Sequence, residues 1–348
     1  MGKAANRQMQ DVLDHYAKMN PLPVEDLSPV MARQQTEIRD AVIATVNDHT
    51  ARRAFVGVIE PVHHVEHISI AGPGGQLLLR IYSPAGDEPM PATLYYHGGG
   101  MVIASLNSYD ASCRALCNAA QAVVISVAYR QAPEHPYPAA AQDAFAAYHW
   151  VLQNAREINV DPTRVAVTGE SAGGNLAAGV CLRARELGMP QPVHQVLVYP
   201  MLDARFDSPS YLENANAKPL NKAMMEWFWG HYLPNGAAAE EELACPLRAK
   251  TLSHLAPATM ILAELDPLRS DGQVYAERLR AAGIDVEVQT FEGVSHEFFG
   301  MGAVVQEGKQ AVYFAAERLS EAFEEPEDTD MNPAVVRFDN NLENALLS

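Results

Sequence analysis

Short β-branched runs alternate with longer helical stretches along most of this chain, and that alternation limits the possible folds more than any other feature. Strand, helix, strand in repetition favours a mostly parallel sheet of about eight strands with helices on both faces. The turn-rich segment 71–75 instead suits a hairpin between the first two strands. The candidate strands are 65–70, 77–82, 93–96, 123–127, 165–168, 196–199, 259–263 and 286–289.

The segment GESAG at 169–173 follows one candidate strand directly and precedes a candidate helix. A G-x-S-x-G turn between a strand and a helix lifts the serine hydroxyl above the edge of the sheet. Glycines at 169 and 173 allow the close chain approach that such a strained turn requires. We therefore predict that Ser171 is a catalytic nucleophile.

The segment HGGG at 97–100 follows another candidate strand. Successive glycines can turn their amides towards one point, and a tetrahedral intermediate needs such donors around its oxygen. The amide of the residue after the nucleophile supplies a further donor in this arrangement. These features predict an oxyanion hole formed by Gly98, Gly99 and Ala172. A phosphate-binding turn is the alternative, but the segment lacks the Lys and Ser/Thr of a nucleotide loop.

A serine hydroxyl needs a base, and in this type of site the chain order is nucleophile, acid, histidine. Among the 12 histidines, only His296 lies beyond residue 266, so the order selects it as the base. The acid is less determined. Glu264 and Asp266 both follow the strand 259–263, and Asp271 and Asp285 come soon after. Position on the loop favours Asp266, whose carboxylate would fix the imidazole tautomer.

Two regions do not follow the alternation. Residues 1–60 are polar and helical, and residues 205–250 contain an amphipathic stripe that includes Phe228. Together they suit a helical cap over the sheet, although the stripe could simply pack on the main core. We divide the remainder into a catalytic core of 61–204 and 251–323 and an acidic tail of 324–348. Arg130, Glu134 and Asp143 are expected to form a buried structural ion-pair network.

Composition narrows the partners. The formal net charge of −18 disfavours nucleic acid and anionic membrane surfaces. No apolar run is long enough to span a bilayer, and the first ten residues do not read as a secretory signal. We interpret the four cysteines as reduced and buried, which favours a cytoplasmic protein without a metal or organic cofactor. They are Cys113, Cys117, Cys181 and Cys245.

These motifs, with YRQAPEHPYPAAAQD at 129–143, YPMLD at 199–203 and DPLR at 266–269, resemble the hormone-sensitive-lipase-like branch of the α/β-hydrolase esterases. The resemblance covers about residues 60–320. It implies the α/β-hydrolase fold and a triad of Ser171, Asp266 and His296. It also implies a cap made of 1–60 and 205–250, and a homodimer through the edge strand from Val286 to Gln289.

Two residues depart from the family pattern. Glu170 stands before the serine where the family commonly has Asp, and Met101 stands where an aromatic residue often follows the HGGG glycines. Met101, Phe228 and Leu268 are the residues that we assign to the substrate pocket. Glu170 and Glu297 flank the predicted catalytic residues and are interpreted as local hydrogen-bonding groups.

The motifs thus predict a serine carboxylesterase that acts on a small-molecule ester, and the cap and the family resemblance imply short- to medium-chain acyl groups. Amidase, arylformamidase or acyl-transfer chemistry on the same triad is the first alternative, because these reactions share the acyl-enzyme. A hydrolase-fold receptor without catalysis is the second alternative, and the complete set of Ser171, Asp266 and His296 argues against it.

Overall fold

The structure is a computed structural model of the 348-residue chain, and it describes residues 4–52, 59–236 and 238–324. All eight predicted strands are present, and several extend beyond the apolar runs that predicted them. They are β1 (His64–Gly72), β2 (Gly75–Ser83), β3 (Met90–Tyr96), β4 (Val123–Val127), β5 (Val160–Glu170), β6 (Gln195–Val198), β7 (Ala258–Leu265) and β8 (Val286–Ser295).

The strands form a single 8-stranded sheet in the order β1-β2-β4-β3-β5-β6-β7-β8. Strand β2 runs antiparallel to both of its neighbours, and every pair from β4 to β8 is parallel. The helices are α1 (Arg7–Lys18), α2 (Pro29–Ala32), α3 (Ile38–Arg52), α4 (Asp110–Ala120), α5 (Ala139–Asn154), α6 (Ala172–Glu186), α7 (Pro209–Glu213), α8 (Lys222–Tyr232), α9 (Arg269–Ala281) and α10 (Gln306–Phe323).

Helices cover both faces of the sheet, as the apolar character of its strands predicts. Successive side chains of a strand point to opposite faces. Leu94 and Val167 accordingly belong to one buried cluster with residues of α5, α6 and α9. Their neighbours Tyr95 and Ala166 belong to a second cluster with residues of α4 and α10. Because these strands are parallel, their carboxyl ends lie at the same edge of the sheet. The candidate catalytic segments come directly after these strand ends.

The two irregular regions contact each other above this edge. The indole Nε1 of Trp227 in α8 donates to the carbonyl oxygen of Leu27 at 3.2 Å, and Asn221 Nδ2 donates to Glu25 Oε1 at 3.2 Å. The aromatic residues of α8 are divided between the main core and the candidate site. Tyr232 is fully buried in the main core, whereas Phe228 packs against the backbone of Gly100 beside the candidate site.

The expected network of Arg130, Glu134 and Asp143 is only partly present. Arg130 Nε lies 2.9 Å from Oδ2 of the buried Asp143. Glu134 instead lies at the surface, where it accepts two hydrogen bonds from Arg33 at 2.7 and 2.8 Å. The prediction was wrong for Glu134 because the partner guanidinium comes from the distant amino-terminal region. The acidic tail, except for Glu324, falls outside the described residues.

Asp271 supports a prediction about stability and pH. This carboxyl lies in α9 and is 4% exposed, and burial together with neighbouring carboxylates raises its pKa to about 7. Between pH 3.8 and about 7, Asp271 keeps its proton in the folded state, whereas the same carboxyl in the unfolded chain has lost it. The stabilisation is therefore complete below the unfolded pKa near 3.8 and is lost as the pH rises towards 7.

We expect Asp271→Asn to increase the free energy of unfolding by roughly 1–3 kcal/mol at pH 8, and by less at pH 5. Urea titrations at the two pH values measure this difference. Asp285→Asn is the matched control, because Asp285 is exposed. An equal gain at both pH values would contradict the assignment of a raised pKa to Asp271.

Candidate active site

Ser171 occupies a sharp turn between β5 and α6. Its backbone has φ 56° and ψ −117°, and its side chain is buried. A non-glycine residue with positive φ is strained, and surrounding contacts must hold it there. The Ser171 amide donates to Val198 at 2.9 Å, and the Ser171 carbonyl accepts from Gly174 and Met201, both at 3.0 Å.

The glycines around Ser171 allow the strand and the helix to cross at very short range. A Cβ atom on Gly169 would overlap the backbone of Gly173, and a Cβ atom on Gly173 would overlap the carbonyl oxygen of Tyr96. No side-chain rotation relieves an overlap with backbone atoms. The two motif glycines are thus required by packing, which explains the spacing seen in the sequence.

His296 and Asp266 are brought together although they follow different strands. His296 Nδ1 lies 2.7 Å from Asp266 Oδ2, and both side chains are buried. The other carboxylate oxygen of Asp266 accepts the Leu268 amide at 2.8 Å, which fixes the carboxylate plane. The ring of Tyr199 packs on the imidazole with a centroid separation of 4.4 Å. Because a carboxylate oxygen accepts a hydrogen bond, the imidazole carries its proton on Nδ1. Nε2 is then the nitrogen that can accept a proton.

Ser171 and His296 line the same cavity, but they make no hydrogen bond with each other in this structure. Catalytic hydrogen bonds are often long before substrate binds and shorten in the reacting complex. The residues that we predict as nucleophile and base thus line one small cavity. A short approach of the Ser171 hydroxyl to Nε2 would complete the predicted triad.

The pKa of His296 supports a prediction about rate and pH. Burial alone lowers this pKa, but the Asp266 carboxylate and its hydrogen bond raise it above the ordinary 6.5. A base must be neutral to accept a proton, so kcat/KM should fall about tenfold per pH unit below a midpoint that lies above 6.5. We expect Asp266→Asn to move this midpoint downwards, because the variant loses the largest of the effects that oppose burial, while Glu297 and Glu170 still raise the pKa by smaller amounts. A midpoint that stays in place in the variant would contradict the role given to Asp266.

Three backbone amides lie near Ser171, because Gly98 approaches its Cβ atom, Gly99 lines the same cavity and Ala172 is the next residue in the chain. The amides of Gly98, Gly99 and Ala172 donate no hydrogen bond to any residue that the structure describes. The carbonyl oxygen of Gly98 contacts His97 Nδ1 at 2.8 Å. Tyr129 Oη also donates to the His97 carbonyl oxygen at 2.8 Å. Unpaired amides next to the serine are the arrangement that a developing oxyanion requires.

His97 is placed to hold the glycine loop and not to transfer protons. It is buried, it stacks on Tyr129 at 4.4 Å, and burial lowers its pKa to about 4. The ring therefore stays neutral above that pH, and it holds the glycine loop rather than the substrate.

The cavity that contains Ser171 and His296 has a volume of about 110 Å³. Phe228 lines it, as the sequence predicts. Met101 and Leu268 do not line it, since both are fully buried in the main hydrophobic core. Met101 has a positive φ of 58°, and its side chain packs in the core. The cavity is lined instead by apolar residues that we did not predict from the sequence. They are Val24, Ala32, Ile38, Ile103, Ala104, Leu220 and Met224.

The neighbouring acidic residues have structural partners. Glu170 accepts hydrogen bonds from the hydroxyls of Tyr95 and Tyr199, and burial raises its pKa to about 7. Glu264 Oε2 accepts the amide of Gly293 at 2.7 Å and so supports the loop that leads to His296. These contacts distinguish Glu264 from Asp266, which the sequence position alone could only favour.

Comparison with known proteins agrees with this geometry. The profile of the alpha/beta hydrolase fold family matches residues 93–300. The chain belongs to the α/β-hydrolase family. It is 41% identical to Esterase LipI of Mycobacterium tuberculosis over 262 residues, which cover 72% of this chain and 81% of LipI. It is 34% identical to an ethyl acetate hydrolase of Pseudomonas putida, with coverage of 86% and 92%.

A solved structure extends this likeness to the fold. The hyperthermophilic esterase of Pyrobaculum calidifontis superposes with a TM-score of 0.82 at 35% identity, covering 91% of this α/β-hydrolase and 98% of the archaeal chain. The predicted hormone-sensitive-lipase-like family and fold are confirmed. The chain is an enzyme of the carboxylic ester hydrolase class, as the sequence predicts.

The described residues also bear on metal binding and on membrane insertion. No group of three or more His, Cys, Asp or Glu side chains among them is arranged to hold a metal ion. No helix within the described ranges has the length and apolar character needed to cross a bilayer.

Proposed function

We propose that this α/β-hydrolase cleaves short- to medium-chain acyl esters through an acyl-enzyme on Ser171. The hydroxyl of Ser171 attacks the ester carbonyl, and His296 Nε2 accepts its proton. Asp266 holds the imidazole and stabilises its charged form. The amides of Gly98, Gly99 and Ala172 bind the oxyanion.

The second half of the reaction uses the same groups. His296 gives its proton to the leaving alcohol, whose bond to the acyl carbon breaks. Water then attacks the acyl carbon while His296 accepts a proton from it. The bond between the acyl carbon and Ser171 Oγ breaks, His296 returns that proton to Oγ, and the carboxylic acid leaves. The observation that carries this proposal is the 2.7 Å contact between His296 Nδ1 and Asp266 Oδ2, made by a histidine that lines the same cavity as Ser171.

A preference for small esters is supported by the size and chemistry of the cavity. Its volume is about 110 Å³ and its lining is largely apolar, and a relative of 34% identity is an ethyl acetate hydrolase. Initial rates on nitrophenyl esters from acetate to decanoate test the preference. Matched nitroanilides test ester against amide chemistry. Faster turnover of the anilides would overturn the esterase proposal in favour of an amidase.

We also propose that residues 1–60 and 205–250 form a cap over Ser171, with 61–204 and 251–323 as the catalytic core. The contacts of Trp227 with Leu27 and of Asn221 with Glu25 support this division. Residues of both regions, among them Ala32 and Phe228, line the cavity. The cap would exclude water from the reacting ester.

We propose further that two copies pair through β8, using the segment from Val286 to Gln289. This strand is at the end of the sheet, and no described strand pairs with its outer side. Light scattering should give twice the monomer mass, and a Pro at an outward-facing amide of this segment should reduce the measured mass.

We also propose a cytoplasmic location. Four cysteines that are all buried and free support it.

A further inference from the structure

Two cavities meet at Tyr109 and Glu297. The first is the catalytic cavity of about 110 Å³. The second has a volume of about 320 Å³ and shares lining residues with the first; we call it the rear cavity. Residues that line both must stand between them. These shared residues are Ile38, Arg39, Ser108, Tyr109 and Glu297.

A hydrogen bond closes the boundary between the two cavities. Tyr109 Oη donates to Glu297 Oε1 at 2.7 Å, although the two residues are 188 positions apart. Burial and the charge of Glu297 raise the pKa of Tyr109 well above 10, so the hydroxyl keeps the proton that it donates. The ring of Tyr109 is held by His97, with a centroid separation of 5.9 Å.

Neighbouring contacts keep this boundary in place. Ser108 Oγ donates to Glu37 Oε1 at 2.7 Å, which ties the loop before α4 to the start of α3. Tyr109 also precedes α4 directly, and its carbonyl oxygen accepts the Cys113 amide at 3.1 Å. The tyrosine side chain is 5% exposed. It is therefore a fixed wall and not a side chain that swings freely.

Part of the rear cavity offers the apolar contacts that an acyl or alkyl chain would need, from Ile38, Val42, Ile43 and Met301. Arg80 and Asp110 also line this cavity, and they pair with each other at 3.3 Å. Its volume is larger than that of the catalytic cavity, so a chain that passed the boundary would have room for several methylenes. Each buried methylene improves binding about fourfold.

We propose that Tyr109 and Glu297 form a partition that limits the length of one arm of the ester, and that the pair is a specificity determinant of this enzyme. The proposal depends on the esterase function proposed above. The partition keeps long chains out of the rear cavity and restricts the reaction to substrates that fit beside Ser171.

The test removes the partition and measures chain-length preference. Tyr109→Ala and Glu297→Ala are compared with Tyr109→Phe and Glu297→Gln, which keep the bulk of each side chain. The substrates are nitrophenyl esters from acetate to decanoate and alkyl acetates from ethyl to decyl. In one of these two series, we expect the ratio of kcat/KM for the longest substrate to kcat/KM for the shortest to rise about 100-fold in the alanine variants. The bulky variants should keep the parental ratio.

A second substitution locates the effect. Ile43→Trp in the Tyr109→Ala background should refill the rear cavity and return the ratio towards the parental value. If both alanine variants keep the parental ratio in both series, the partition proposal is overturned while the esterase function stands. If the parental protein cleaves no ester and a fluorophosphonate does not label Ser171, the proposed function itself fails.

Discussion

Ser171→Ala should lose ester turnover by a factor on the order of 10⁶ while it keeps the fold. The substitution removes the only atom of Ser171 that can attack a carbonyl. It leaves the backbone hydrogen bonds of the turn in place, among them the donation of the Ser171 amide to Val198. Alanine also meets the same positive φ as serine, so the turn gains no new strain.

The measurement is the rate on a nitrophenyl ester together with labelling by a fluorophosphonate probe and a circular dichroism spectrum. Ser126→Ala is the matched control, because Ser126 is buried on β4 away from the cavity. The control should retain both turnover and labelling. A Ser171→Ala protein that hydrolyses the ester at a near-parental rate would show that the nucleophile lies elsewhere.

The second large effect is expected at Asp266. Asp266→Asn should reduce kcat by about 10⁴ with little change in the fold. An amide can donate to His296 Nδ1, which stabilises the tautomer with its proton on Nε2, where the serine proton must go. The substitution also removes the charge that stabilises the imidazolium.

Glu264→Gln is the matched control for Asp266→Asn. Both residues lie at the carboxyl end of β7, but Glu264 contacts the Gly293 amide and not His296. An amide oxygen can still accept from Gly293, so we expect a far smaller loss of kcat. Equal losses in the two variants would mean that the end of β7 acts through stability alone, and that Asp266 has no separate role.

The sheet and the order of the chemical groups were predictable because they depend on local pattern. β-branched runs specify strands, and strands joined by helices must lie parallel in one sheet. The ends of parallel strands meet at one edge, so Ser171, Asp266 and His296 could be expected to approach each other from chain order alone. The structure brings Asp266 and His296 into contact and places Ser171 in the same cavity.

The pocket residues were much less predictable. Met101 follows the glycine loop in sequence, yet its side chain packs in the core, and the backbone has positive φ at Met101 (58°) and at Ala104 (68°). Ile103 and Ala104 reach the cavity instead. The hydrophobic periodicity of the sequence does not predict such backbone conformations, because packing against distant residues selects them. The pairing of Glu134 with Arg33 escaped prediction for the same reason.

The sequence by itself determined the sheet, the turn at Ser171 and the glycine loop, since each follows from side-chain period or backbone freedom over a few residues. Only the tertiary structure decided the size of the catalytic cavity and what closes it. Tyr109 and Glu297 contact each other across 188 positions. Such a contact depends on how α4, the loop after β8 and the amino-terminal helices pack together, and no local stretch of sequence contains that information.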